Sequence, residues 1–116
     1  VYYYTYEVRG PLTALFTKRD PSNNSKFTIL LVVQPETENK SVAYMIVSRD
    51  YDLHLEDEIF ISFQDKIFSQ DLPIVEAQHP ELLPLDLQEE MHLKSDKMSI
   101  EYRRWLNEIN LSFGTA

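Results

Sequence analysis

In "IFSQDLPIVEAQHP", Ile67 to Pro80, apolar side chains recur at helical spacing, whereas the first fifty residues alternate with a period of two. That change of period marks the passage from sheet to helix. At about 100° per residue, Phe60, Phe63, Ile67, Asp71, Ile74 and Gln78 fall within roughly 80° of one another, a narrow stripe predicted to lie against the sheet. Asp71 sits in the middle of it. Pro73 lacks an N–H and crowds the carbonyl of Ser69, so the helix is expected to kink or restart there, and Pro80 with Pro84 to end it.

Working back from Leu53, "SVAYMIVSR" alternates Val42, Tyr44 and Ile46 against Ala43, Met45 and Val47. Before it, "FTILLVVQ" is a continuous apolar run of the kind found in a buried strand, and "LTALFTK" is extended. "RDPSNNSK" and "PETENK" carry dense turn chemistry between them. The chain opens in "VYYYTYEVR", with Tyr2, Tyr4, Tyr6 and Val8 on one face of a strand and Tyr3, Thr5 and Glu7 on the other. About four strands joined by short hairpins are predicted. A start in mid-strand is what a piece of a longer chain would show.

Forward of Pro80, "LPLDLQEEMHLKSD" is predicted to be an irregular return with a short strand near Glu90 to Leu93. A last helix follows, capped by Asp96 or Ser99, with Met98, Tyr102, Trp105 and Ile109 on its inner face. The fold class is α+β: an antiparallel sheet with a long helix across one face and a second helix at the C-terminus. With 116 residues, 43% hydrophobic, a single domain spanning 1–116 with one core is expected.

The formal charge of −8 opposes binding to phosphate backbones, which excludes nucleic acid as an expected partner. No apolar run approaches the length of a membrane span, and nothing resembles a signal peptide, so a cytoplasmic location is expected. The absence of cysteine rules out a disulfide, a thiolate metal site or an iron–sulfur cluster within these residues. Two glycines, at Gly10 and Gly114, cannot build a nucleophile elbow or a phosphate-cradling loop. Asn-x-Ser triplets at Asn23, Asn39 and Asn110 matter only in a secreted chain.

A carboxylate on an apolar face needs a compensating partner, because desolvating it costs several kcal/mol. For Asp71, capping of a helix restarted at Pro73, a core ion pair and metal ligation are all open on the residues alone. His54, His79 and His92 are the other candidates for metal or general-base work, and none is spaced to pair with Asp71. Each is expected to be structural or at the surface, His92 facing solvent. Arg103 and Arg104 are expected on a solvated or salt-bridging face. The tyrosine ladder is a packed sheet face or, alternatively, a pocket lining.

Four elements in order, "QDLPIVEAQ", "LPLDL", the pattern E-x-H-L-x-x-D at Glu90 to Asp96, and "SIEYRRWL", resemble the C-terminal end of the catalytic domain of Rieske non-haem iron oxygenases. The likeness is to the branch of vanillate demethylase and related monooxygenases. It implies a helix-grip (START-like) fold in which a curved antiparallel sheet wraps a long helix around a substrate pocket. It also implies that Asp71 is the carboxylate of a two-histidine, one-carboxylate Fe(II) site, the histidines lying upstream of Val1. A Rieske 2Fe-2S cluster would sit in an N-terminal domain outside this chain. The parent would be a homotrimer that hydroxylates or demethylates an aromatic or apolar substrate with O2, using electrons from a reductase or ferredoxin. Residues 1–116 alone would be inactive.

Two alternatives need no upstream partner. One is a non-catalytic helix-grip module holding an apolar small molecule or lipid. The other is an interaction domain pairing through its free sheet edge.

Overall fold

The computed structural model describes residues 1–116 and has the α+β class expected. Four strands, β1 (Tyr3–Gly10), β2 (Thr13–Arg19), β3 (Lys26–Thr37) and β4 (Lys40–Arg49), form one antiparallel sheet in sequence order. Helix α1 (Asp57–Glu76) follows, then a short 3-10 turn (Lys94–Asp96) that runs into α2 (Lys97–Glu108). The chain packs as two compact units, Val1–Gln70 and Asp71–Ala116.

In the first unit the hairpins follow from turn chemistry. Asp20 accepts hydrogen bonds from the Ser22 amide and hydroxyl, Asn23 accepts from the Ser25 amide, and Asn24 takes φ 62°. These side chains stand in for backbone partners where the chain reverses. The Ser22 hydroxyl, then the Ser22 amide, hold the Asp20 carboxyl below its ordinary value. The second hairpin is tighter than its sequence indicates. "PETENK" was expected to be a turn throughout, but β3 runs through Pro35 to Thr37 and β4 begins at Lys40. Pro35 is accommodated at a register shift between Pro35 and Thr37, a place where a missing N–H costs no regular ladder bond.

Register places Tyr6 opposite Phe16, Phe16 opposite Ile29, and Ile29 opposite Val47. The tyrosine ladder packs on its neighbour strand: Tyr4 and Tyr6 contact the Phe16 ring at 6.0 and 5.1 Å, and Lys18 Nζ lies 4.1 Å from the Tyr2 ring centre. Such cross-strand aromatic pairs contribute roughly 0.5 to 1 kcal/mol each. The apolar run of β3, expected to be buried, is half-buried except for Phe27, which is buried.

α1 differs from its predicted face. Phe63 and Ile74 are 60% and 63% exposed, while Phe60, Gln64 and Phe68 are the half-buried positions. Phe60 is common to both stripes; its edge meets Tyr51 at 6.2 Å and its face meets Arg49, which turns the helix so that a polar residue, Gln64, comes inside. Hydropathy does not tell the glutamine that turns inward, Gln64, from the one that stays outside, Gln78. Nor does Pro73 break the helix, which is continuous to Glu76.

The second unit has no strand at Glu90 to Leu93; that segment is irregular. Its order comes instead from a parallel bridge, Leu83 to Thr115, and from one arginine. Arg103, expected on a solvated or salt-bridging face, forms a salt bridge with Glu90 but is buried. Its Nε donates to Pro84 O at 3.1 Å, its Nη1 to Ser99 O at 3.3 Å and to Ser99 Oγ, and its Nη2 to Glu90. Leu106, one turn on, is 1% exposed, whereas Met98 and Ile109 of the predicted inner face are exposed. The face of α2 is therefore set by where a guanidinium finds acceptors.

Asp96 sits at the junction of the 3-10 turn and α2. The Leu93 amide donates to its Oδ2 at 2.8 Å, and the Asp96 amide donates back to Leu93 O at 3.0 Å. The Leu93 amide bond, followed by the Ser95 hydroxyl, lowers the Asp96 pKa from its ordinary 3.8. A lowered folded-state value means the contribution is fully present above that ordinary value and is lost as pH falls through the lowered one. Asp96→Asn is therefore expected to speed hydrogen exchange at the Leu93 amide at neutral pH, with little further change on acidification, whereas the wild-type amide loses protection only in acid.

Candidate functional site

Two features carry chemistry, and the same helix, α1, contributes to both. The first is a cavity of about 500 Å³ in the first unit, between β4 and the opening turns of α1. Met45, Val47 and Arg49 of β4 line it with Phe60, Gln64 and Asp65 of α1. Alternation on β4 is what brings Met45, Val47 and Arg49 to one face. Its size is that of an ordinary small-molecule site.

Arg49 lines this cavity from the end of β4. Its side chain is 8% exposed; Nη2 donates to Leu55 O at 2.9 Å and to Asp57 Oδ1 at 2.8 Å, and its guanidinium carbon lies 4.0 Å from the Phe60 ring centre. Asp57 and Glu58 place negative charge in the first turn of α1, where the helix dipole favours it. Arg49 thus ties the end of β4 to the start of the helix. Sequence reasoning missed it, because a lone arginine closing a strand gives no periodic signal; an acidic pair eight and nine residues later was the available clue.

The second feature is Asp71. It lies in mid-helix, is exposed, and has neither a hydrogen-bond nor an ion-pair partner. With α1 unbroken at Pro73 there is no restarted helix for it to cap. Helical spacing puts it eleven positions after Phe60, about 20° away around the axis, yet every residue from Ser69 to Pro80 is exposed. The inward burial predicted for it is absent in this chain. Its carboxylate is free to donate an electron pair to a cation, and no three histidine, aspartate or glutamate side chains converge anywhere in the chain.

The histidines are scattered. His54 and His79 are exposed. His92, expected to face solvent, is half-buried, and its Nε2 is buried without a hydrogen-bond partner. No helix is long and apolar enough to cross a membrane.

Comparison with known proteins finds likenesses that cover most of the chain. A family model described as the vanillate O-demethylase oxygenase C-terminal domain matches residues 2–111. A probable methylxanthine N7-demethylase, NdmC, of Pseudomonas sp. (strain TJI-51) is 34% identical over 114 residues, covering 97% of this chain and 40% of that protein. Among solved structures, Pseudomonas putida CBB5 NdmA superposes with a TM-score of 0.78 at 28% identity, over 91% of this chain and 31% of its own. The QL mutant of NdmA with caffeine gives the same TM-score and identity, over 91% of this chain and 30% of its own. The chain thus spans well under half the length of the proteins it matches.

Proposed function

The chain belongs to the family of vanillate O-demethylase oxygenase C-terminal domains, and from this we propose that its two units form part of the catalytic domain of a Rieske-type oxygenase. In this reading the full-length protein demethylates or hydroxylates an aromatic substrate with O2, and Asp71 supplies one iron ligand. The observation that carries it is the match over residues 2–111, which includes Asp71, a carboxylate that nothing in the chain engages.

A facial triad needs two imidazoles and one carboxylate, leaving positions open for substrate chemistry. Asp71 provides the carboxylate, and the histidines would come from residues outside 1–116. Non-haem Fe(II), when bound, supplies redox chemistry with dioxygen; the 2Fe-2S cluster of an N-terminal domain would pass on electrons from a reductase or ferredoxin. The residues of this chain hold and shelter the substrate: Phe60, Met45 and Val47 offer apolar surface to a ring, and Arg49 keeps the strand end and the helix start together around it. A cytoplasmic homotrimer is part of the same proposal. NdmC and NdmA act on or bind N-methylated rings, so an N-methyl heteroaromatic is the substrate to test first.

Two measurements test this. Isolated residues 1–116 are expected to show no oxygen-dependent turnover of such a ring, because one carboxylate cannot hold iron in a catalytic geometry. The full-length protein carrying Asp71→Ala or Asp71→Asn should lose both iron and turnover. Survival of both would sink the assignment.

A further inference from the structure

The cavity beside β4 has an uneven set of charges. Of the ionisable residues lining it, Arg49 is the sole cation, while Asp57 and Asp65 are anions. Asp57 is already paired with Arg49 at 2.8 Å, so Asp65, which forms no ion pair, leaves the lining with one uncompensated negative charge.

Arg49 also has hydrogen-bonding capacity left over. A guanidinium carries five N–H donors in a rigid fork. Both Nη2 donors are taken, by Leu55 O and Asp57 Oδ1, whereas Nε and Nη1 have no acceptor in the protein. The side chain is more than nine-tenths shielded from solvent and is part of the cavity lining, so a ligand in the cavity lies beside a guanidinium with donors to spare. A donor sheltered in this way favours a ligand that brings an acceptor and disfavours one that does not.

We infer that Arg49 is a specificity-determining residue that donates from Nε or Nη1 to a carbonyl oxygen of the substrate, and that the cavity selects a neutral, planar, carbonyl-bearing ring over a ring carboxylate. A carboxylate would gain little net attraction from a guanidinium already neutralised by Asp57 and would be repelled by Asp65. A carbonyl oxygen meets the same donors without that repulsion. The inference rests on the proposal that this cavity receives the oxygenase substrate, and it adds the chemical class.

The test is equilibrium binding to the full-length protein by titration calorimetry, with caffeine as the neutral two-carbonyl ring and vanillate as the ring carboxylate. Wild type is expected to bind caffeine at least about tenfold more tightly than vanillate. Arg49→Lys keeps the charge but loses the fork, and is expected to weaken caffeine about tenfold. Because Arg49 also secures the helix start, Asp65→Asn provides an independent arm: Asp65 is exposed and unpaired, so its loss should leave the fold intact. That variant is expected to bind vanillate roughly three- to tenfold more tightly. Vanillate binding as tightly as caffeine, no caffeine binding by wild type, an unchanged caffeine Kd in a folded Arg49→Lys protein, or an unchanged vanillate Kd in Asp65→Asn would each overturn the inference. Iron retention and turnover in the Asp71 variants report separately on the oxygenase reading, so either can fail alone.

Discussion

Full-length protein carrying Asp71→Ala is expected to retain its fold while its iron content and its turnover both fall by at least about 100-fold. The estimate is conservative: removing a group that merely orients a metal ligand already costs 10- to 100-fold in affinity or activity as a rough rule, and here a ligand itself is removed. The fold should be spared because Asp71 is exposed and has no partner to lose, and an exposed helical substitution of this kind changes stability by only about 0.5 kcal/mol. Alanine is also the better helix former. Asp71→Asn keeps an oxygen donor without its charge and is expected to lose iron and turnover nearly as completely. Asp71→Glu keeps the charge and lengthens the arm, so partial iron occupancy with poor turnover is expected. Inductively coupled plasma mass spectrometry for iron, circular dichroism for the fold and product formation together separate ligation from structure.

The second large effect belongs to Arg103. Arg103→Ala is expected to destabilise the chain by about 3 kcal/mol, near the lower end for breaking a buried pair, because Glu90 is partly open to water. For a chain of this size that corresponds to a melting temperature lower by roughly 10 to 15 °C. Alanine leaves four acceptor atoms on three residues without their donor: Pro84 O, Ser99 O and Oγ, and Glu90 Oε2. Arg103→Lys is expected to recover less than half of the loss, since an ammonium on a flexible stem cannot reach three such positions together. Arg103→Leu combined with Glu90→Leu should lie closer to wild type than Arg103→Leu alone, as no charge is then stranded. Thermal unfolding of the four variants decides these points.

How far the sequence alone carries can be judged from these same residues. The four strands were legible, since alternation and turn chemistry are local signals and the sheet runs in sequence order. Strand ends were less so: Pro35 argues for a turn, yet a register shift lets β3 continue past it. For α1 the length was legible and the face was not, because Gln64 occupies an inner position and Phe63 an outer one. For α2, hydropathy set Arg103 outside, although its acceptors lie four, thirteen and nineteen residues away. No helical period can announce bonds at those separations. Only the resemblance, which grouped "LPLDL", Glu90 and "SIEYRRWL" together, pointed to that segment. For the site, Asp71 was reached through the family pattern, while its exposure and the cavity at Arg49 became visible only in three dimensions.

The Arg103 clasp has an evolutionary corollary. Because one side chain answers to three stretches of sequence at once, those stretches should not drift independently. A descendant that trades the arginine for an aliphatic residue is expected to have traded Glu90 as well, and one that keeps both should tolerate wide variation in Leu87 to Glu89 between them.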